Sequence, residues 1–187
     1  MWEASRLVRI VAVALACLAL ARPAGALTVR ALSMEELVAG ADRIVHARCL
    51  RVASLPATSP GVPVLEITLG VEEALKGPSD ERLVIHQLGG RWSRVLPTCA
   101  PGDEVVLFLH APSRLGLTSP VGMEQGFLRV LRAPNQPARI AGDAHVVAAL
   151  SEPPGGSAAA LRAGSHGVTA PLDAALDVLR ATIGPAR

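Results

Sequence analysis

The sequence predicts a mainly β protein: a small antiparallel barrel flanked by a short N-terminal helix and an amphipathic C-terminal helix. Three observations carry that reading. Six short segments alternate apolar and polar residues or run continuously apolar, and glycine or proline stops most of them. The 17 Gly and 15 Pro supply many turns. A stretch near the C-terminus sets leucines at helical spacing. Half of the 187 residues are hydrophobic, enough for a real core, and one domain is expected at this length. A disordered chain is excluded, because low hydrophobicity and high net charge are both missing.

The first element is an address. Residues 1–26 read as a secretory signal peptide: Arg6 and Arg9 form the positive region, Ile10 to Leu20 the apolar run, and Ala24-Gly25-Ala26 the small-x-small site before Leu27. The run has eleven residues, whereas a bilayer span needs about 20. An uncleaved anchor, or a lipoprotein through Cys17, are the competing readings. Cleavage between Ala26 and Leu27 places the chain in the periplasm or the medium. Removing the leader's three arginines and one glutamate leaves 15 basic and 15 acidic residues. A neutral chain with three aromatics (Trp92, Phe108, Phe127) offers little to phosphates or bases, which argues against nucleic acid. No later apolar run is long enough to span a membrane.

Residues 27–150 hold the β domain. Ser33-Met34-Glu35-Glu36-Leu37 opens a two-turn helix, with Ser33 and Glu36 as a capping box, Leu32 and Leu37 as its staple and Gly40 as the stop. Ile44 to Val52 is the first strand, and Val45, Ala47 and Cys49 make its core face. Leu65 to Val71 is the second: Leu65, Ile67, Leu69 and Val71 face inward, while Glu66, Thr68 and Glu72 face out. Lys76-Gly77-Pro78 turns the chain. Leu83 to Leu88, Glu104 to His110, Leu115 to Val121 and Gly126 to Leu131 complete six strands, and Pro134 to Gly142 reads as a loop. His145 to Leu150 fits either another strand or a helical turn. Residues 151–170, rich in Pro, Gly, Ser and Ala, read as a mobile segment. Residues 171–184 form the last helix, which Pro171 starts and Leu172, Leu176, Leu179 and Ile183 dock on the barrel.

Cys49 and Cys99 remain after the leader is removed. Export permits one bridge between them, closing a loop of about 50 residues, worth ~4 kcal/mol in the chain-entropy model. Two separate buried thiols are the alternative, since free cysteine packs as a small hydrophobe.

The order Leu37–Ala41–Asp42–Ile44–Val45, then Ile67–Val71–Leu75–Lys76–Gly77, then Pro97–Cys99–Gly102–Glu104–Leu107–Phe108–Leu109 resembles the netrin-like modules, tissue inhibitors of metalloproteinases among them. It is most similar to uncharacterised exported bacterial proteins of that layout. The resemblance covers Ser33 to Val130. It implies an OB-type five-stranded barrel with helices beside it, and a binding role. The inhibitors hold the protease zinc through an N-terminal Cys-x-Cys. Here the mature start is Leu27-Thr28-Val29, so that device is missing, and their many disulfides shrink to at most one.

No spacing points to chemistry. His46, His86, His110, His145 and His166 lack metal-ligand spacing and read as scattered histidines. Gly164-Ser165-His166-Gly167 reads as linker, and Gly-x-Ser-x-Gly is absent. Glu35-Glu36 and Glu72-Glu73 read as surface charges. No catalytic residue, cofactor or metal is expected. The loop of Arg91, Trp92 and Arg94 is the best candidate contact, because Trp and Arg are enriched at interface hot spots. The alternative is that Trp92 folds back over the barrel. The expected function is therefore an exported, non-catalytic module that recognises another exported protein, a protease among the candidates. A small-ligand or envelope-surface binder using the barrel mouth is the second expectation.

Overall fold

The computed structural model describes residues 30–56, 63–90, 95–151, 162–164 and 167–184. The expected leader with its Ala26–Leu27 cleavage pair, the Arg91, Trp92 and Arg94 loop, and Ser165 and His166 lie outside the described residues.

Helix α1 (Met34–Gly40) starts as its sequence dictates. Ser33 Oγ accepts from the Glu36 amide and the Glu36 carboxylate accepts from the Ser33 amide. Its far end is closed by a residue that the pattern did not single out for the task. Lys76, the chain's single lysine, donates through Nζ to the carbonyls of Val38 (2.7 Å) and Ala41 (2.6 Å). Gly40 is the last helical residue and is closely packed: a Cβ there would lie 3.1 Å from Val121 Cγ1.

The strands are β1 (Arg43–Leu55), β2 (Val64–Lys76), β3 (Arg82–Leu88), β4 (Glu104–Leu109), β5 (Phe127–Leu131), β6 (Arg139–Ala141), β7 (Arg162–Gly164) and β8 (Gly167–Pro171). A 3-10 turn (Met123–Gly126) leads into β5. Helix α2 (Ala144–Ala149) follows β6, and helix α3 (Leu172–Ile183) follows β8. The fold is thus a mainly antiparallel β-sheet with a few helices. The strand order is β3-β2-β1-β4-β5-β6-β8-β7, with every neighbouring pair antiparallel.

Several expectations are corrected. The hydrogen-bonded ladder is open, with β3 and β7 at its edges. The segment expected as a strand over Leu115 to Val121 makes only single bridges, His86 to Leu117 and Leu109 to Pro120. Pro120 has no amide to donate, and left-handed Gly116 (φ 73°) and Gly122 (φ 61°) bracket the segment. The loop expected over Pro134 to Gly142 contains β6. The segment expected to be mobile contains β7 and β8, whose ladder ends on Gly164 and Gly167. Of the two readings of His145 to Leu150 the helical one holds: His145 to Ala149 lie in α2 and Leu150 caps it, because the Asp143 side chain caps the amides of His145 and Val146.

Two apolar clusters lie on opposite sides of β1 and β4. One gathers Cys49, Ile67, Leu69, Ile85, Leu107 and Cys99. The other packs Ile44, Phe108, Leu128 and Ile140 under α1, α2 and α3. The first half of β1 is therefore buried on both faces, which is why Ile44 and His46 are as enclosed as Val45 and Ala47. In α3 Leu172, Leu176 and Leu179 are buried, and Ile183 is half-buried.

Candidate functional site

The densest polar cluster among the described residues is centred on Glu104, the first residue of β4. Its position follows from the ladder: Arg48 of β1 is its direct cross-strand partner, and Val130 of β5 its partner on the other side. Arg132 stands two residues beyond Val130, so alternation returns it to the same face. His46 lies two residues before Arg48, on that face too. All four converge at one end of the helix-covered side of the sheet.

The Glu104 carboxylate is fully engaged. Its Oε1 meets His46 Nε2 at 2.8 Å and Arg132 Nη2 at 2.6 Å. Its Oε2 meets Arg132 Nε at 2.7 Å and Arg48 Nη2 at 3.0 Å. The bidentate Arg132 guanidinium, then His46, hold the Glu104 pKa well below the usual carboxylate range, at about 2, against the opposing effect of burial. An ionised carboxylate only accepts, so the His46 nitrogen facing it carries its proton. Glu72 extends the network: its Oε1 accepts from Arg48 at 2.9 Å, and its Oε2 lies 3.9 Å from His46.

Glu72 is exposed and Glu73 half-buried, and both stand within β2 and carry ion pairs. The β1–β2 register shifts by one residue here: His46 faces Glu73 and Ala47 faces Val71, leaving Glu72 without a ladder partner. Strict alternation would have sent Glu73 to the sheet's opposite face. The shift brings both carboxylates to the helix side. Glu73 there accepts two bonds from Arg180 of α3, at 2.9 and 2.8 Å.

His46, Glu72 and Glu104 each offer an atom within 4.8 Å of the others, a grouping compatible with a metal by distance. His46 is thus not the exposed or edge residue that spacing predicted; it is buried. The chemistry of the donors argues otherwise. A carboxylate has about four lone-pair sites, and Glu104 spends all of them on N–H donors. Arg48 and Arg132 already neutralise both carboxylates. The grouping is an ion-pair network first. His86 sits separately, 3.5 Å from Glu66, and His110 and His145 are exposed.

Above the network lies a cleft of about 260 Å³. Arg48, Asp103, Glu104, Arg129 and Arg132 supply its charged lining. Arg129 is braced by Asp103 Oδ2 (2.7 Å) and the Thr98 carbonyl (3.0 Å), and its guanidinium lies 5.2 Å from the Phe127 ring centre. The side chains of Arg48, Arg129 and Arg132 are 43%, 49% and 56% exposed, whereas that of Glu104 is only 3% exposed. The anion is underneath and the cations are on top. Three arginines against Asp103 and Glu104 leave one positive charge in excess in the lining, and Glu72 is outside it. Sequence reasoning missed these arginines because each stands alone in the chain; only the ladder register brings them together.

Cys49 and Cys99 are both free thiols and both buried. Searches against protein-family models, curated proteins and solved structures give no match for this chain. Among the described residues no helix is long and apolar enough to cross a membrane.

Proposed function

We propose that the chain is an exported, non-catalytic binding module, and that its arginine cleft receives an acidic group of another exported protein. The observation that carries this reading is the arrangement at Glu104: a buried carboxylate fixes Arg48 and Arg132 while their outer surfaces stay in solvent. Guanidiniums held that way are pre-organised for a carboxylate, sulfate or phosphate, with little side-chain entropy left to lose. Export rests on the leader in residues 1–26.

An OB-like barrel of the netrin-like kind belongs to the same proposal. The two single bridges link β3 to residues 117–120 and those residues to β4, which itself pairs with β1. A ring β1-β2-β3-(117–120)-β4 completed by those bridges, with the cluster around Leu69 and Leu107 inside it, is the partly open five-membered barrel that this reading proposes. Small-ligand binding is the weaker reading. Two further clefts lined by described residues measure about 320 and 340 Å³, at the lower limit of drug-sized pockets, roughly 300 Å³.

The test is titration of the chain with a labelled oligoglutamate peptide and with an oligolysine control. Oligoglutamate binding that weakens with salt is expected. Arg48→Gln with Arg129→Gln should weaken it about tenfold, ~1.4 kcal/mol. Equal affinity in the double variant, or equal binding of both peptides, refutes the cleft.

A further inference from the structure

Cys49 and Cys99 come from distant parts of the chain, yet the backbone binds their segments together. The Cys49 amide donates to the Asp103 carbonyl at 2.7 Å, and its carbonyl accepts from the Gly102 amide at 2.8 Å. These two bonds fold the 99–103 turn against the middle of β1, just past the end of its ladder with β4. The turn is closed on itself by Asp103, whose amide donates to the Ala100 carbonyl and whose carboxylate accepts from the Ala100 amide. Both side chains enter the same apolar cluster, with Cys49 1% and Cys99 5% exposed. There the Cys49 thiol is the neighbour that the Cys99 thiol senses.

From this juxtaposition we infer that Cys49 and Cys99 are joined by an intramolecular disulfide that pins the 99–103 turn to β1. The bond forms by exchange with a disulfide-bearing oxidant, such as oxidised glutathione or a dithiol oxidase. Cys49 and Cys99 each give up a thiol proton, their sulfurs join, and the oxidant's S–S bond takes the electron pair and both protons to become two thiols. Reaction needs a thiolate that the oxidant can reach. In the folded chain burial, then the neighbouring Cys49 thiol, pushes the Cys99 thiol well up from its ordinary value. The exchange therefore belongs to the folding chain, before the cluster closes, and the folded reduced chain is a slow substrate.

The same turn carries Asp103, which braces Arg129, so the bond fixes one wall of the cleft. The compartment that supplies the oxidant rests on the exported reading; the pairing does not. The experiment separates the two. The full chain is refolded from the reduced, denatured state in a glutathione redox buffer, digested with trypsin without reduction, and mapped by mass spectrometry. A linked species joining Cys49-Leu50-Arg51 to the peptide of residues 95–114 is expected. Its formation should slow at least tenfold when the oxidant is added after folding. The unfolding midpoint of the oxidised chain should fall by about 10 °C on reduction, and that of the Cys49→Ala, Cys99→Ala chain should not move. Two freely alkylated thiols after refolding, or pairing of either cysteine with another partner, overturns the inference. A linked peptide in the test tube with free thiols in the chain taken from its own cells supports the pairing and refutes export.

Discussion

Replacing Glu104 with glutamine keeps the shape of the side chain and removes the charge beneath Arg132 and Arg48. The carboxyl falls from an ordinary 4.5 to about 2 in the folded chain, which corresponds to about 3 kcal/mol of preference for the ionised form. Arg132, its main partner, is 56% exposed, so solvent screening reduces the usable figure to about 2 kcal/mol. Because the folded-state value is depressed, this stability is fully present above pH 4.5. It is lost as the pH falls through about 2, where the unfolded carboxyl is fully protonated and half of the folded-state carboxyls are too. Urea unfolding curves at pH 7, 5, 3 and 2 measure it directly. Glu104→Gln should cost about 2 kcal/mol at pH 7, and the gap to the unsubstituted chain should shrink below pH 4.5 and nearly vanish near pH 2. A cost under about 0.5 kcal/mol at pH 7, or a gap that does not change with pH, refutes the account of Glu104 as a charged keystone.

Two further perturbations test other joints. Lys76→Met removes the donor that closes α1 onto Val38 and Ala41, and should cost about 2 kcal/mol in urea unfolding; a change within about 0.5 kcal/mol would mean that water replaces it without loss. Gly126→Ala places a Cβ 2.4 Å from the Val121 carbonyl oxygen and 2.9 Å from its nitrogen. Backbone cannot yield as a side chain does, so a loss above about 2 kcal/mol is expected, and a chain of unaltered thermal midpoint would refute that packing.

What was legible in the sequence is what local chemistry decides. The capping box at Ser33 needs only four neighbouring residues. The inner face of β2 shows as Leu65, Ile67, Leu69 and Val71 because one side of that stretch meets water and the other does not. Legibility fails where the signal is not local. His46 alternates with apolar residues and looks like an outer-face residue, yet helices cover that face. The register shift at Glu72 has no sequence mark, since Glu-Glu in a strand reads as surface charge with or without it. Residues 162–164 and 167–171 carry glycines and alanines that look like linker, and they become strands only because β6 is there to pair with β8. Arg48, Arg129 and Arg132 are single charges among many; nothing in their spacing says that one carboxylate, over 50 residues from the first of them, sets two of them in place.

The cleft and the cysteine pair are one construction seen from two sides. The chain leaves the apolar cluster at Cys99, turns through Gly102 and Asp103, and enters β4 at Glu104. Within six residues it passes from a buried thiol to a brace for Arg129 and then to the anchor of Arg48 and Arg132. Asp103 cannot shift without releasing the Cys49 amide, and Glu104 cannot shift without breaking register with Arg48. A rigid interior is thus converted into fixed guanidinium positions at the surface over a very short path. A mobile turn would let Arg129 swing and spend binding energy on ordering it. That is the physical reason to expect the covalent tie at Cys49 and Cys99 to matter for recognition as well as for stability: it acts on the one segment whose two ends set all three arginines.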